Sequence, residues 1–352
     1  MSTTPAAGLE LREALARIVD RHDLTADEMA SVVGRIMDGE GTPAQVGALL
    51  TGLRMKGETV DEVVGAAMAM RARMIKVEVG AATVLDTCGT GGDGSGSVNV
   101  STLASFIIAA CGVSVAKHGN RALSSRSGSH DVIEALGIDP APSAERAALC
   151  LEAAGLCFMF APTFHAATKA VGGPRRELGF RTLFNLLGPL TNPASARYHL
   201  NGVFASPRCE FLARAHKALG SRRAMVVHGA GGLDELAPDG PTEVAELTAA
   251  GEVKRYAIRP ADFSLPESDP AGLKGGLPAD NAVILRAALE GAPGVVRHAA
   301  LMTAAAGLFV VGAVADFRAG TARAADAIDS GKALGVLNRL RALAPLLPAK
   351  VA

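Results

Sequence analysis

The chain has 352 residues, 49 % of them hydrophobic and 20 % charged, which predicts two domains with sizeable cores and excludes a globally disordered chain. Lys plus Arg and Asp plus Glu balance at 35 each, so no global field draws in a nucleic-acid duplex or an anionic membrane, and any affinity for phosphate must be local. Five cysteines, Cys88, Cys111, Cys150, Cys157 and Cys209, contain no Cys-x-x-Cys pair, which argues against a disulfide framework or a structural zinc and fits a reducing cytoplasm.

The stretch from Met1 to Arg12 carries Glu10 and lacks an apolar centre, so it does not read as a secretory signal. Three helix starts then share one grammar, a threonine followed three residues later by Glu or Gln: Thr25 to Glu28, Thr42 to Gln45 and Thr59 to Glu62. Pro43 occupies the first helical position of the second. Apolar residues follow at helical spacing (Met29, Val32, Val33, Ile36; Val46, Leu49, Leu50, Leu53; Val63, Val64, Ala67). A small helical domain is expected from about Leu9 to Arg73.

After Lys76 the pattern changes. Val84 and Leu85 lead into the glycine-rich stretch Gly89 to Gly96 and then an apolar helix, Ser101 to Cys111, stopped by Gly112. Val113 to Ala116 reads as the next strand, Val132 to Leu136 as a short helix, and Cys157 to Phe160 and Ala224 to Val227 as later strands. Strands separated by helices imply a parallel sheet covered on both faces, with the site in loops at the strand C-termini. Arg259 to Ala279, crowded with Pro260, Pro266, Pro270 and Pro278, reads as a surface excursion. Ala299 to Ala315 reads as a buried core helix and not a membrane span, because Thr303, Gly307 and Gly312 interrupt it and Asp316 and Arg318 follow. The tail from Pro345 to Ala352 is expected to fray.

Two loops carry chemistry. Asp86-Thr87-Cys88-Gly89-Thr90-Gly91-Gly92-Asp93 sets glycines between a strand and a helix, where bare backbone N–H groups can approach an anion. It is neither the Walker pattern nor the dinucleotide fingerprint, and by itself such a loop is also a tight turn. Asn99-Val100-Ser101-Thr102 adds hydrogen-bonding side chains at a helix start, which serve either as N-caps or as anion ligands. The second loop, Lys117 to Ser129, packs a lysine, a histidine, two arginines and four serines into thirteen residues with no acid before Asp131, a density that suits a phosphorylated ligand.

These stretches, with Glu134-Ala135-Leu136-Gly137, Arg175-Arg176-Glu177-Leu178-Gly179, Arg181-Thr182-Leu183-Phe184-Asn185, Leu187-Gly188-Pro189-Leu190-Thr191-Asn192-Pro193, Gly232-Leu233-Asp234-Glu235 and Ala327-Ile328-Asp329-Ser330-Gly331-Lys332, resemble the anthranilate phosphoribosyltransferase family over nearly the whole chain. The resemblance implies an α/β protein of the nucleoside phosphorylase/phosphoribosyltransferase type. A small N-terminal helical domain, residues 1–76 completed by about 163–187, would pack on a large α/β domain, residues 77–162 and 188–352, with a mainly parallel central sheet. It implies transfer of the 5-phosphoribosyl group from 5-phosphoribosyl-1-pyrophosphate to the amino group of anthranilate. Mg²⁺, two ions per subunit, and a cytoplasmic homodimer with no nucleic-acid or membrane partner go with it.

Carried over position by position, the resemblance implies that phosphoribosyl pyrophosphate meets Gly89, Gly92, Asp93, Ser97, Asn99, Val100, Ser101 and Thr102, then Lys117, His118, Gly119, Asn120, Arg121, Ala122, Leu123, Ser124 and Ser125, and Ser129. Anthranilate would meet Gly89, Asn120, His165 and Arg175, and Mg²⁺ would meet Ser101, Asp234 and Glu235. His118 and His165 are the candidates for assisting proton loss. The acceptor side departs from the family pattern at Ala166-Ala167-Thr168, Gly173-Pro174 and His130. A pyrimidine nucleoside phosphorylase, or a nucleic-acid-binding relative without the transferase reaction, is the alternative; the Lys117 loop speaks against the first and the zero net charge against the second.

Overall fold

The structure, a computed structural model, describes residues 9–80, 82–121, 126–140 and 142–346. Its N-terminal part is built by α1 (Leu11–Val19), α2 (Ala26–Met37), α3 (Pro43–Lys56) and α4 (Val60–Arg73). All three expected capping boxes form: Thr25, Thr42 and Thr59 each accept from the backbone N–H three residues on, and Glu28, Gln45 and Glu62 return the bond. Gly65 lets α4 lie against the start of α2, because a Cβ there would fall 2.1 Å from the Ala26 carbonyl oxygen.

The rest alternates strand and helix: β1 (Val84–Asp86), α5 (Val100–Ala110), β2 (Ser114–Gly119), α6 (Ser129–Ala135), α7 (Ala144–Ala154) and β3 (Leu156–Phe160). The chain then makes α8 (Ala161–Phe164), α9 (Lys169–Leu178) and α10 (Phe184–Leu187) before returning as β4 (Tyr198–Gly202), α11 (Pro207–Ala218) and β5 (Arg223–Gly229). A hairpin of β6 (Thr242–Leu247) and β7 (Val253–Ile258) is followed by α12 (Pro278–Leu289), α13 (Val295–Val310), α14 (Phe317–Asp329) and α15 (Lys332–Leu343). Among the described residues no helix is long and apolar enough to cross a membrane.

The strands form a seven-stranded sheet in the order β3-β2-β1-β4-β5-β6-β7. Pairing is parallel from β3 to β5 and antiparallel for β6 and β7. Winding proceeds from β1 outward to β3, then restarts on the other side of β1 with β4. The C-terminal ends of β1 and β4 therefore splay apart at a topological switch, where α/β sheets open a crevice. Two apolar clusters flank this sheet with strand periodicity: on β5, Met225 and Val227 join α5 and α13, whereas Val226 joins α1 to α4, α11 and the buried Val171, Leu183 and Phe184.

One expectation is corrected. The proline-rich segment 259–279 is not a mere surface excursion: Phe263 and Leu273 are buried, the Val98 N–H donates to the Leu273 carbonyl at 2.8 Å, and the Gly275 N–H donates to that of Gly96 at 2.8 Å. Its two short 3₁₀ turns thus strap the far end of the glycine-rich loop. The segment expected as a buried helix is α13, whose Gly307 lets Ile108 of α5 come close.

Within the helical part Glu62 is fully buried, accepts from the Leu24 N–H at 3.1 Å and pairs with the nearly buried Lys56 at 3.1 Å. Removing this carboxylate leaves a buried N–H and part of a buried charge without a partner. Glu62→Ala is expected to lower unfolding stability by about 3 kcal/mol in urea titrations, with Glu62→Gln recovering part of it through its retained acceptor oxygen.

Candidate active site

Three strand ends supply the crevice. From β1 the chain enters the glycine loop, in which Gly91, Gly92, Gly94 and Gly96 have φ of 67°, 77°, 77° and 62°. These left-handed values need glycine and turn successive N–H groups along the loop. The Thr90 N–H pins the loop to the Gly202 carbonyl at the end of β4, 2.9 Å away. Gly202 in turn touches the turn after β5: a Cβ on it would sit 1.4 Å from the Asp234 carbonyl oxygen. Gly89 is flanked by both, its Cβ position lying 3.3 Å from the Gly202 carbonyl oxygen and 3.5 Å from Asp234 Oδ2.

This convergence brings the expected acids to the loop and the helix. The Asp234 N–H donates to Asp93 Oδ2 at 3.3 Å, and Glu235 Oε1 accepts from the Ser101 N–H at 3.1 Å in the first turn of α5. Part of the anion-binding start of α5 is therefore filled by the protein's own carboxylate. Asn99 does not cap α5 with its side chain; its amide donates to the Ser127 carbonyl at 3.3 Å and accepts from Asn281 at 3.1 Å. Ser97 pairs with Lys274 of the proline-rich strap, and Val100 and Thr102 are buried in α5.

Lys117 lies buried under the loop, with Nζ donating to the Thr87 carbonyl at 2.8 Å, to Thr87 Oγ1 at 3.2 Å and to Ser101 Oγ at 3.2 Å. All three ammonium donors are used within the protein, so its charge acts from behind the loop, and burial pulls its pKa down. Asp86 is buried beside it and accepts from the backbone of Cys88 at 3.1 Å and of His118 at 3.3 Å. Burial raises this carboxyl to about 6.

The His118 and His165 rings stand 5.0 Å apart. His118 Nδ1 faces the Gly188 carbonyl oxygen at 3.1 Å and must carry the proton, which leaves Nε2 a bare acceptor without a partner. Burial keeps both rings neutral, at about 3 for His118 and about 4 for His165. Gly119 is a close-approach position, its Cβ direction being filled by Ser129 Oγ and the His130 ring. Ser129 Oγ donates to the Asn120 carbonyl at 3.3 Å. Arg121 is committed to Asp131 and Glu134 at 3.1 and 2.7 Å. Ala122, Leu123, Ser124 and Ser125 lie outside the described residues. Arg175 packs over the Phe184 ring at 5.4 Å and forms no ion pair with Glu177.

Sequence reasoning quoted Asp86 and Thr87 in the glycine loop and singled out the proline-rich segment without giving them a role at the site, and it overlooked Asn201. Asn201 Nδ2 holds the Cys88 carbonyl at 2.6 Å and its Oδ1 contacts His216 Nε2 at 2.7 Å. A polar residue at a strand's C-terminal end was the available signal for Asp86 and Asn201.

The site accommodates a hard divalent cation. Burial first, then the neighbouring Glu235 and Asp93, push Asp234 up to about 8, so the acids lack sufficient positive charge of their own. Asp234, Glu235 and Ser101 present hard oxygen donors at the start of α5, a set that fits Mg²⁺, a cation that takes few carboxylates and completes its shell with phosphate and water. Folded Asp234 keeps its proton to about 8 whereas an ordinary aspartate releases it near 3.8, so unfolding releases a proton between those values and stability falls as pH rises across that window. Asp234→Asn in chelator is therefore expected to melt above the parent protein at about pH 9 and with it at about pH 4, followed by calorimetry.

A glycosyl transferase family helical bundle domain matches residues 12–74, and a glycosyl transferase family a/b domain matches residues 81–334. The chain is 51 % identical over 332 residues to an anthranilate phosphoribosyltransferase of Myxococcus xanthus, covering 94 % of this chain and 98 % of that protein. The crystal structure of the Thermus thermophilus enzyme of that name superimposes with a TM-score of 0.89 at 40 % identity, covering 94 % of this chain and 98 % of the other. The Saccharomyces cerevisiae enzyme, solved in complex with PRPP and Mg, superimposes with a TM-score of 0.86 at 27 % identity over 95 % of this chain and 97 % of the other. With identity this high over almost its full length and both domain types in the same order, the chain belongs to the anthranilate phosphoribosyltransferase family.

Proposed function

We propose that the chain joins anthranilate to the ribose of 5-phosphoribosyl-1-pyrophosphate, giving N-(5-phosphoribosyl)anthranilate and pyrophosphate, a step of tryptophan biosynthesis. The observation that carries this reading is the meeting of the glycine loop, the start of α5 and the Asp234-Glu235 pair at one switch point of the sheet. The yeast relative's complex with PRPP and Mg supports the donor and the metal, and another structure of that relative, with 4-fluoroanthranilate, supports the acceptor.

In this reading the amine nitrogen bonds to C1′ as the C1′–oxygen bond breaks, and the pyrophosphate departs with the electron pair. The transition state is oxocarbenium-like, as in other glycosyl transfers. Mg²⁺, assigned to Ser101, Asp234 and Glu235, supplies positive charge to the pyrophosphate when bound. Glycine-loop N–H groups face the donor, while Lys117 fixes Thr87 and Ser101 beneath it. Two ions per subunit is the count that the family resemblance implies, with Ser101, Asp234 and Glu235 as the positions assigned to the metal. The amine is already neutral near pH 7, so positioning outweighs base strength. His118 and His165, held neutral with weakly basic rings, act as hydrogen-bonding partners of the acceptor, and solvent takes the final proton.

Residues 1–76 with about 163–187 form the helical domain, and residues 77–162 with 188–352 the α/β domain. Val19 and Met55, 76 % and 72 % exposed on the helical side, support a homodimer through that domain. Five free cysteines among the described residues support a cytoplasmic setting.

Loss of anthranilate fluorescence on mixing with phosphoribosyl pyrophosphate and Mg²⁺ tests donor, acceptor and metal together; no loss at any metal concentration refutes the reading. Asp234→Ala or Glu235→Ala should cut turnover by about a hundredfold and weaken its Mg²⁺ response, with circular dichroism unchanged. Among the described residues Arg175 packs on Phe184 and has no ion pair, and its fork matches a planar carboxylate. Arg175→Ala should raise the KM for anthranilate by about ten- to a hundredfold and leave the donor KM nearly unchanged, with Arg175→Lys recovering only part. Equal loss toward both substrates would count against the carboxylate role.

A further inference from the structure

Arg181 has no part in the assignments above, yet it stands at the glycine loop. Its guanidinium lies over the Phe204 ring with Cζ 4.1 Å from the centroid, the shortest cation–ring approach among the described residues. Its edge faces Gly92: a Cβ built there would be 3.2 Å from Nη2 and 3.4 Å from Nε. Gly92 also has φ +77°, so both the turn and the open space beside the arginine call for glycine. Among the described residues Arg181 has no ion pair and no side-chain hydrogen bond, whereas Arg121 and Arg208 are each tied to a carboxylate.

We infer that Arg181, held on Phe204, is a donor-binding residue that grips the pyrophosphate of phosphoribosyl pyrophosphate against the Gly91-Gly92 turn. This rests on the proposed transferase reading. Stacking consumes a face of the guanidinium and leaves its in-plane N–H groups free, so the side chain is oriented before any ligand arrives and loses little freedom on binding one. An ordinary solvated arginine has neither a fixed plane nor a glycine cut away beside it. Asp93 accepts from the Ser95 and Asp234 N–H groups and Glu235 from that of Ser101, and neither pairs with this cation. A polyphosphate does, because its oxygens accept paired bonds from a planar fork.

The location explains why a cation is useful there. Lys117, buried beneath the glycine loop, spends its donors inside the protein. Arg181 is exposed and belongs to the segment whose neighbours Leu183 and Phe184 are packed in the helical cluster, while Gly92 belongs to the loop of the sheet. A pyrophosphate held between them bridges the two apolar units, so charge that develops on the leaving group is met by a cation carried on the helical side.

The test uses the full chain with Arg181→Gln, Arg181→Lys and Phe204→Leu. Steady-state KM values are measured for both substrates, with product inhibition by pyrophosphate and calorimetric titration of pyrophosphate in Mg²⁺. Arg181→Gln should raise the donor KM and weaken pyrophosphate binding by about ten- to a hundredfold each, the loss expected for a charge-assisted pair, with the anthranilate KM held within about twofold. Arg181→Lys should recover part, and Phe204→Leu should show a smaller loss with the same pattern. Donor KM and pyrophosphate affinity both within about twofold of the parent, or equal losses on both substrates, overturn the inference. Should Arg181→Gln not fold, Arg181→Lys and Phe204→Leu decide by the same readings. A parent protein that titrates pyrophosphate but turns over no anthranilate refutes the transferase reading alone, and the variants' pyrophosphate titrations then decide the role of Arg181.

Discussion

The site depends on a steric permission at Gly202. Because β4 ends in a residue without a side chain, the Asp234 turn after β5 can close onto it, at a place where a Cβ would lie 1.4 Å from a carbonyl oxygen. The same residue's carbonyl accepts from Thr90 and so anchors the glycine loop leaving β1. One glycine thus joins three strand ends, and through them the Asp93, Ser101, Asp234 and Glu235 side chains reach one another. Any larger residue would have to push the acid turn off the loop.

Electrostatics adds a second layer to this steric arrangement. Carboxylates cluster on one side of the loop and are short of positive charge, as the raised pKa of Asp234 shows. Burial raises the Glu235 carboxyl above the usual carboxylate range, Lys117 beneath the loop offsets part of that rise, and burial destabilises the lysine's own ammonium. Such a cluster is poorly suited to being empty and well suited to a divalent cation shared with a polyphosphate. The histidines differ: burial keeps His118 and His165 neutral, so these two rings offer hydrogen bonds without charge beside the carboxylate cluster.

Local chemistry was legible wherever the signal and its consequence lie within a few residues. The capping boxes at Thr25, Thr42 and Thr59 bond within three residues, so sequence spacing alone places them. The strands β1, β2, β3 and β5, and the helices α5 and α6, were visible as apolar runs. Less legible were β4, β6 and β7: β4 carries His199 and Asn201 inward, and β7 is half exposed, so neither shows a clean apolar pattern. Asn99 looked like a cap but bonds to Ser127 and Asn281, a partner 182 residues away that no local rule finds.

What the sequence determined by itself was therefore the inventory: a helical part, an α/β part, a phosphate-type loop, an acid pair, and through its motifs a family. The identities of the donor-side residues came with that inventory because they sit in contiguous stretches. Tertiary structure alone decided how the inventory is wired. It turned Lys117 inward, tied Arg121 to Asp131 and Glu134, bound the proline-rich segment onto the glycine loop and set Arg181 on Phe204 beside Gly92. The physical reason is that a charged side chain's role is set by which opposite charge or aromatic face it meets first. Those partners lie far away along the chain, and strand order and steric clearance alone bring them together.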